Sequence, residues 1–367
     1  MKNKVKVEII IYAIVLVIMC CTLFFSSAFE SFFKLKPDLS GITKNSLTVH
    51  FVDVGQGDAI LVRFPNNKTM LVDSGSESSK LKLFNYINNV FFNGYNNRTF
   101  DYVMLTHPDV DHAGNMLEII NNYKIKTFLR PNIYAKGLEY CEANNYASSD
   151  ENYLRIVATL YNLNINMKLV TPSFSDENIN KYFKVLTPIK SSYTNENNFS
   201  PIVVLEHNNV KFMLTGDATT TNELEAINNY SEEILNCDVL KLGHHGSNTS
   251  TNAEFLKAVS PKAIVISAGK NNSYLHPSTE TMDTIYAYST SFNKDLTKNI
   301  YETSKLGNII FSVNNVNSYL VTTISNVNDY AFIGYWAVLL IAIGLIFVCI
   351  IIPKIYKRLN KGKKKIL

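Results

Sequence analysis

The 367-residue chain has little cysteine and little histidine. Of its five cysteines, Cys20, Cys21 and Cys349 fall inside long apolar runs, which leaves Cys141 and Cys237. A single pair of cysteines makes no disulfide framework, and neither cysteine has the Cys-x-x-Cys partner of a structural zinc ribbon. The sequence therefore excludes a small cysteine-stabilised fold. With only seven histidines, the places where they cluster become informative.

The central part of the chain also lacks an excess of positive charge. The formal net charge is +4, but three of the 35 basic residues precede residue 7 and seven follow residue 353. Residues 31–330 contain 25 basic and 29 acidic residues, which gives this part a net charge of −4. A globally basic body that binds nucleic acid along a broad charged surface is thereby excluded.

Two long apolar runs bracket this acidic part. Residues 9–29 and 331–352 are 21 and 22 residues without a charge, about the length of a membrane-spanning helix. Each run has basic residues on its terminal side, and such flanks stay in the cytoplasm. We therefore predict a two-pass protein of the cell membrane, with both termini cytoplasmic and the central part extracellular. A cleaved signal peptide is the alternative for the first run, because Ser26, Ser27 and Ala28 resemble a cleavage site.

The domain organisation predicted from these runs has six parts. They are a first transmembrane helix at 1–30, a linker at 31–45, the main domain at 46–318, a second linker at 319–330, a second transmembrane helix at 331–352 and a basic tail at 353–367. In the main domain, β-like runs alternate with helical spacing, which favours a layered α/β domain. Strands are expected at 46–53, 59–64, 69–72, 101–106, 128–131, 201–207, 210–215, 237–242 and 263–267, and irregular structure over 134–200.

Four of the seven histidines lie in two dense clusters, each directly after a predicted strand. The first cluster is the Thr-His-Pro-Asp-Val-Asp-His run at 106–112. Imidazole nitrogens and carboxylate oxygens suit divalent ions such as zinc and manganese, so four such groups in six residues can converge on a metal pair. The alternative is a polar turn in which an Asp caps the next helix, but a cap needs only one carboxylate.

Three more predicted strand ends carry side chains of the same chemical type. The second histidine cluster is His244 and His245, with a glycine on either side that allows a tight turn. On its own, this pair could also belong to a solvated loop. Asp217 follows a strand in a Gly-Asp pair and can bridge two ions, and Asp73 follows another strand in a similar way.

In this order, the motifs resemble the metallo-β-lactamase superfamily, and in particular the exported metallohydrolase domain of ComEC-type DNA-uptake proteins. The similar segments are FVDVGQGDAI at 51–60, HPDVDHAGN at 107–115, LTGDA at 214–218, LKLGHHGSNTS at 240–250, ISAGKNNSYLHPS at 266–278 and YETSKLGNIIFS at 301–312. The resemblance implies an α/β fold, an αββα sandwich flanked here by two transmembrane helices, with a two-metal hydrolytic site at one edge.

The resemblance also implies roles for individual residues. The implied metal ligands are His107, Asp109, Asp111, His112, Asp217 and His244 or His245, and the implied orienting residues are Asp58 and Asp73. Two divalent ions, zinc or manganese, are expected, and Asp109 in place of the usual histidine adds an oxygen ligand that favours manganese. Where the superfamily has a third histidine, this chain has Asn197, Asn198 and Ser200, so we expect one ion to be held either loosely or by Asn and water.

The function expected from the resemblance is metal-dependent hydrolysis of a phosphodiester, through a hydroxide held by two ions. The catalytic candidates are Asp111, His244, His245 and His276, although His276 could instead cap the helix after it. Single-stranded DNA and a cell-envelope polymer are both open as substrates, and the lipid bilayer is an expected partner. Two spans cannot form a multi-helix channel, so no channel subunit is evident. The alternative function is a non-catalytic, membrane-anchored binding or assembly module that retains the metal site.

Overall fold

The computed structural model describes residues 45–94, 97–138, 150–292 and 294–324, together with residues 39, 42, 43, 147 and 148. These residues fall within the unit Asp38–Ser325. The apolar runs at 9–29 and 331–352 lie outside the described residues, so their assignment as membrane spans stays a prediction. Within the described ranges, no helix is both long enough and apolar enough to cross a membrane.

Most of the described strands belong to two large sheets. The strands are β1 Leu47–Phe51, β2 Ile60–Arg63, β3 Thr69–Val72, β4 Thr99–Met104, β5 Lys124–Arg130, β6 Tyr134–Ala135, β7 Ala147–Ser148, β8 Asn166–Leu169, β9 Phe183–Val185, β10 Val203–His207, β11 Val210–Leu214, β12 Val239–Lys241, β13 Ala263–Ile266, β14 Ile300–Glu302, β15 Asn308–Asn315 and β16 Ser318–Ile324. The first sheet has the order β16-β15-β1-β2-β3-β4-β5-β8, and the second has the order β14-β13-β12-β11-β10-β9.

Both large sheets are mixed. In the first sheet, β3, β4, β5 and β8 are parallel and the other neighbours are antiparallel. In the second, β11 to β14 are parallel, while β9, β10 and β11 pair antiparallel. The helices are α1 Lys80–Tyr86 with a π-helical continuation at Ile87–Phe91, α2 Val110–Ala113, α3 Met116–Asn122, α4 Glu151–Asn162, α5 Thr220–Asn229, α6 Glu232–Leu235, α7 Ala253–Val259, α8 Thr279–Ser291 and α9 Thr303–Leu306.

The main hydrophobic core lies between the two sheets. Alternate strand residues point inward. The ring centroid of Phe311 in the first sheet lies 5.9 Å from that of Phe51 in the same sheet and 5.6 Å from that of Phe212 in the second sheet. Burial of these apolar faces in a common layer holds the sheets together. Because the carboxyl ends of several strands then reach the same edge of the sandwich, the loops that follow them come together.

Helices cover the outer faces of the sandwich. On the second sheet, Met213 and Ile264 belong to a separate core with Phe255 of α7 and Ile285 of α8. On the first sheet, His50 points outward and its Nδ1 atom lies 2.9 Å from the Tyr86 hydroxyl of α1. Burial and the nearby Arg63 lower the pKa of His50 to about 3, so this histidine is a neutral structural residue. The predicted α/β sandwich is therefore confirmed.

Two parts of the chain are more regular than the sequence predicted. The irregular stretch expected over 134–200 contains α4, β8 and β9. The second linker, expected at 319–330, contains most of strand β16, which pairs along its length with β15. Strand β16 has mostly exposed or half-exposed side chains because it lies at a sheet edge, and an edge strand lacks the apolar run of a central one. The remaining domain limits stay predictions.

Candidate metal centre

The residues of both histidine clusters meet at one edge of the sandwich. His107 follows β4 in the first sheet, whereas Asp217 follows β11 and the His244–His245 pair follows β12 in the second. All three strands run parallel to a neighbour, and the carboxyl ends of such strands lie at a common edge. Asp73, after β3, reaches the same place. Residues far apart in the chain thereby form one buried cluster.

Asp217 lies between two pairs of histidines. Its Oδ2 atom is 3.8 Å from Nε2 of His107 and 3.6 Å from Nε2 of His244. Its Oδ1 atom is 3.1 Å from Nε2 of His112 and 3.4 Å from Nε2 of His245. The two oxygens of one carboxylate therefore face two separate sets of nitrogen atoms.

Asp109 and Asp111 each approach one of these two sets of nitrogen atoms. Oδ2 of Asp109 lies 3.6 Å from Nε2 of His107, and Oδ2 of Asp111 lies 3.3 Å from Nε2 of His245. We define the first group as His107, Asp109, His244 and Oδ2 of Asp217, and the second group as Asp111, His112, His245 and Oδ1 of Asp217. Each group offers two imidazole nitrogens and carboxylate oxygen, the donor set that zinc and manganese accept.

All four histidines present the same nitrogen to the cluster. Nδ1 of His112 donates to Oδ2 of Asp73 at 2.8 Å, and Nδ1 of His245 donates to the Ser267 carbonyl at 2.8 Å. Nδ1 of His244 lies 2.8 Å from the Thr249 hydroxyl. Such outer contacts fix the ring orientation of metal-binding histidines and leave Nε2 free to bind.

His107 is held in the same way by two hydroxyl groups. Its Nδ1 atom lies 3.1 Å from Oγ1 of Thr106 and 3.2 Å from Oγ of Ser200. Thr106 in turn donates its hydroxyl and its backbone N–H to Asp73, each at 2.8 Å. Asp73 thus contacts residues that belong to, or support, both groups, and its role as an orienting residue stays a prediction.

A strained turn places His244 and His245 side by side in the site. Both residues have left-handed backbone conformations, with φ of 49° and 56°, which are unfavourable for residues other than glycine. The neighbouring Gly243 approaches the carbonyl of Ala218 so closely that a Cβ atom there would lie 2.7 Å from its oxygen. The sequence left open which histidine is the ligand, and this turn brings both to Asp217.

The charges in the cluster strongly perturb its titration. Burial is the largest single effect and disfavours the charged forms, but the combined attraction of the neighbouring carboxylates and imidazoles, chiefly between Asp217 and both His112 and His245, outweighs burial. It holds the pKa of Asp217 well below its usual range, raises the pKa of His112 well above its usual value and raises that of His245 to about 9. Without an ion, protons therefore balance the negative charge of the site.

The buried polar atoms of the cluster fit a bound cation. Nε2 of His107 and Oδ1 of Asp217 are buried without a hydrogen-bond partner. Ligand atoms from Asp58, His112, Asp217 and His245 all lie within 4.8 Å of one another. Buried polar atoms of this kind are costly unless something compensates them, and a divalent ion would do so.

Asp58 is in this cluster but is paired with a cation of the protein. Its Oδ2 atom lies 2.5 Å from Nζ of Lys241, whereas its Oδ1 atom is 3.9 Å from Nδ1 of His245. Lys241 is fully buried and also donates to the Gly216 carbonyl at 3.1 Å. Because Lys241 neutralises it, we place Asp58 beside the candidate metal ligands rather than among them, and its orienting role stays a prediction.

The structure does not bring Asn197 and Asn198 into the cluster. The Asn198 side chain accepts a hydrogen bond from the Thr219 hydroxyl at 2.6 Å, and the half-buried Asn197 lies beside it in the 3₁₀ turn Glu196–Phe199. Ser200 instead approaches His107, and His244 stands close to Asp217 on that side. The loose ligation by asparagine that the sequence suggested has no contact to support it here.

His276 lies at the outer side of the cluster. Its ring centroid is 5.6 Å from that of His244 and 6.4 Å from that of His245. Its Nδ1 atom is buried and has no hydrogen-bond partner, whereas Ser278, not His276, caps α8. Burial and the two neighbouring histidines lower the pKa of His276. His276 therefore faces the site.

Sequence reasoning assigned no role to two buried residues that support the centre. Lys241 forms the ion pair with Asp58, and Glu223 of α5 binds the loop after the histidine turn. The Glu223 carboxylate accepts hydrogen bonds from the backbone N–H groups of Thr251 and Asn252. A glutamate in an amphipathic helix and a lysine beside a strand end are usually exposed, so the sequence carried little signal for either.

The comparison with known families agrees with this architecture. A sequence model of the Metallo-beta-lactamase superfamily matches residues 52–270, and the chain belongs to this superfamily. The fold, the family and the buried His/Asp cluster together define a metal-dependent hydrolase of the metallo-β-lactamase type.

Among characterised relatives, the chain is similar to proteins named for competence. It is 28% identical over 253 residues to ComE operon protein 3 of Bacillus subtilis (strain 168), covering 66% of this chain and 31% of that protein. It is 27% identical over 260 residues to Competence protein ComA of Neisseria gonorrhoeae, covering 70% of this chain and 32% of that protein. The matched part thus spans about a third of these relatives.

A solved structure with a similar fold is the metallo-beta-lactamase fold protein YhfI from Bacillus subtilis. The match has 11% sequence identity and a TM-score of 0.41, and it covers 70% of this chain and 96% of that protein. The resemblance to the superfamily and to its competence-related members, expected from the motifs, is confirmed.

Proposed function

We propose that the protein is a membrane-anchored phosphodiesterase that uses two divalent ions, zinc or manganese. The proposal rests on the position of the Asp217 carboxylate between two pairs of histidines. Its Oδ2 atom faces His107 and His244, and its Oδ1 atom faces His112 and His245. The first and second groups would each hold one ion, with Asp217 shared. Two ions bound in this way supply an activated water and neutralise negative charge on a phosphoryl group.

The protein's own residues hold and surround the reacting groups. Asp73, Thr106, Ser267 and Thr249 keep the four imidazoles in position through their Nδ1 atoms. His276 is the group placed to contact the substrate, because its half-buried ring lies at the outer side of the cluster and its lowered pKa keeps the ring neutral near pH 7. It would donate a hydrogen bond to a phosphoryl or leaving-group oxygen.

The substrate class is a phosphodiester, of single-stranded nucleic acid or of a cell-envelope polymer. The negative net charge of residues 31–330 supports local recognition at the metal centre rather than a long electrostatic track. The proposed location is the extracellular side of the cell membrane, supported by the uncharged runs at 9–29 and 331–352 and by their basic terminal flanks. No further domain of the competence-related relatives is needed for this proposal.

The test is turnover of bis(p-nitrophenyl) phosphate by the full chain, purified in detergent and loaded with manganese or zinc. We expect metal-dependent hydrolysis that Asp111→Ala abolishes and that His276→Ala lowers while bound metal is retained. Asp283→Ala, an exposed aspartate of α8, is the matched control and should behave as wild type. Metal-loaded protein with no turnover above the Asp111→Ala background would favour the binding or assembly module.

A further inference from the structure

The loop between β13 and α8 exposes apolar side chains beside the metal centre. Tyr274 is 67% exposed, and Leu275 is 81% exposed with a left-handed backbone φ of 58°. His276, the next residue, faces the histidines of the site. An exposed tyrosine and leucine contribute little to folding, and a left-handed leucine costs free energy, which is a pattern typical of functional loops.

Hydrogen bonds hold this loop in one conformation. The side-chain amide of Asn272 donates to the carbonyls of Gly269 and His276 at 2.9 Å and 2.6 Å, and its oxygen accepts from the His276 N–H at 2.9 Å. The Gly269 N–H donates to Oε1 of Gln56 in the neighbouring loop at 3.1 Å. Tyr274 therefore lies on a loop with a fixed conformation, which lowers the entropic cost of binding a ligand to the tyrosine ring.

Three rings form a column from the metal centre to the surface. The rings of His245 and His276 are 6.4 Å apart with an interplanar angle of 27°, and those of His276 and Tyr274 are 5.6 Å apart at 26°. His245 is buried, His276 is half-buried and Tyr274 is exposed. The column therefore places an accessible flat aromatic surface next to the residues that would bind the scissile phosphate.

We propose that Tyr274 is a substrate-binding residue that stacks on a nucleobase of a single-stranded nucleic acid cleaved at the metal centre. This inference rests on the proposed phosphodiesterase function and selects between its two substrates. An aromatic ring binds any base through its flat face, and a base in a single strand can leave the stack to reach it. A polyol phosphate of the cell envelope has no flat ring and would gain nothing from this surface.

The charge near Tyr274 is consistent with such a substrate. Lys270 is exposed on the same loop and can approach a phosphate next to the stacked base. The acidic remainder of the domain adds no broad basic surface. Recognition would thus depend on one or two stacked bases and on the metal centre, without a sequence preference.

The experiment compares two strands of equal length, a single-stranded oligodeoxynucleotide and an abasic strand with the same phosphodiester backbone. It uses the full manganese-loaded chain in detergent and the variants Tyr274→Ala, Tyr274→Leu and Tyr274→Phe. Tyr286→Ala, which removes a half-exposed tyrosine of α8, is the control. The measured quantity is the ratio of kcat/KM for the two strands, together with fluorescence quenching of a 2-aminopurine base on binding.

Wild type, Tyr274→Phe and Tyr286→Ala should prefer the base-bearing strand by at least about fivefold, the lower range of one stacked base. In Tyr274→Ala and Tyr274→Leu the ratio should fall towards one through a higher KM, and the quenching should be lost. An unchanged ratio in Tyr274→Ala would overturn the inference, as would hydrolysis of bis(p-nitrophenyl) phosphate with no preference between the strands. Quenching that depends on Tyr274 without any turnover would support stacking and refute the proposed phosphodiesterase.

Discussion

The ion pair between Asp58 and Lys241 allows a quantitative test of how the metal centre is supported. Both side chains are almost completely buried, at 1% and 0% exposure, and their charged atoms are 2.5 Å apart. The pair connects the loop after β1 to the end of β12, so it crosses between the two sheets next to His245. A lysine in this position must be paired because burying an isolated charge is very costly.

Replacement of Lys241 by methionine keeps the length of the side chain and removes its charge. Asp58 would then be a buried carboxylate without a cation, and breaking a buried pair in this way costs about 3–5 kcal/mol. The Gly216 carbonyl would also lose its donor at 3.1 Å, for on the order of 1 kcal/mol. We therefore expect Lys241→Met to lower the free energy of unfolding by about 4 kcal/mol or more.

The double variant Asp58→Asn/Lys241→Met should be far less affected, because neutral groups that replace a buried ion pair are often tolerated. We expect it to lose less than about 2 kcal/mol, with a coupling energy between the two sites of at least about 2 kcal/mol. The measurement is urea denaturation followed by circular dichroism, with chelator present, because bound metal would add to the stability. Lys298→Met, which breaks the exposed pair with Asp295, is the control and should cause no measurable loss.

Two results would refute this reasoning about the pair. One is a loss for Lys241→Met no larger than that for the exposed control. The other is a double variant whose loss equals the sum of the two single losses, because independent sites add and a true ion pair does not. In either case Asp58 would be free to act as a metal ligand, and its place beside the cluster would need revision.

Four further predictions concern the metal, the protons, the pH dependence and the topology. Metal analysis should show that Asp217→Ala removes most bound metal and that His244→Ala and His245→Ala each remove about one ion, whereas Asn198→Ala removes none; equal stoichiometry in all four would contradict the assignment. Because the pKa of His245 is about 9 and that of His112 is higher than usual, calorimetry at pH 7 in buffers of different ionisation enthalpy should detect release of about two protons on metal binding. Burial raises the pKa of Glu223 from 4.5 to about 7, so the folded state binds this proton more tightly than the unfolded state between these values, and stability from this group falls as pH rises through that window. Glu223→Gln removes this titration, so the free energy of unfolding of the variant minus that of wild type should increase from pH 5 to pH 8, by on the order of 3 kcal/mol at most. A difference that does not change with pH would refute the raised pKa of Glu223 as the cause. Protease added to intact protoplasts should digest residues 46–318, and protection of this part with cleavage of the basic tail would reverse the predicted orientation.

The strands of the sandwich were largely predictable because their sequence patterns are local. β1, β2 and β10 to β13 are short apolar runs between turn residues, and each was expected close to its observed position. Helix α4 was missed although its sequence carried a signal. Tyr153, Ile156, Val157 and Leu160 have helical spacing, and the Asp150 side chain accepts a hydrogen bond from the Tyr153 N–H. The surrounding Asn- and Ser-rich loops obscured this pattern.

The residue types of the candidate metal site could also be recognised within single segments of the sequence, but their hydrogen-bond and ion-pair partners could not. The spacing of the His107–His112 run and of the histidine pair indicated a metal centre, because so few other polar patterns need those side chains together. The role of Ser200 beside His107 and of Lys241 beside Asp58 depends on contacts across the two sheets. No pattern within one segment reports such contacts, so only the folded arrangement distinguishes Ser200 from the neighbouring asparagines.

In the proposed two-ion site, the left-handed turn at His244 and His245 would compensate for the missing third histidine of the superfamily. Successive side chains of a β-strand point to opposite faces, so two adjacent histidines in a strand could not both reach one carboxylate. With both residues in the left-handed region, Nε2 of each lies within 3.6 Å of a different oxygen of Asp217. His244 thereby stands where the first group would otherwise lack a nitrogen ligand. The free energy that this turn costs is understandable if its function is to divide two histidines between two ions.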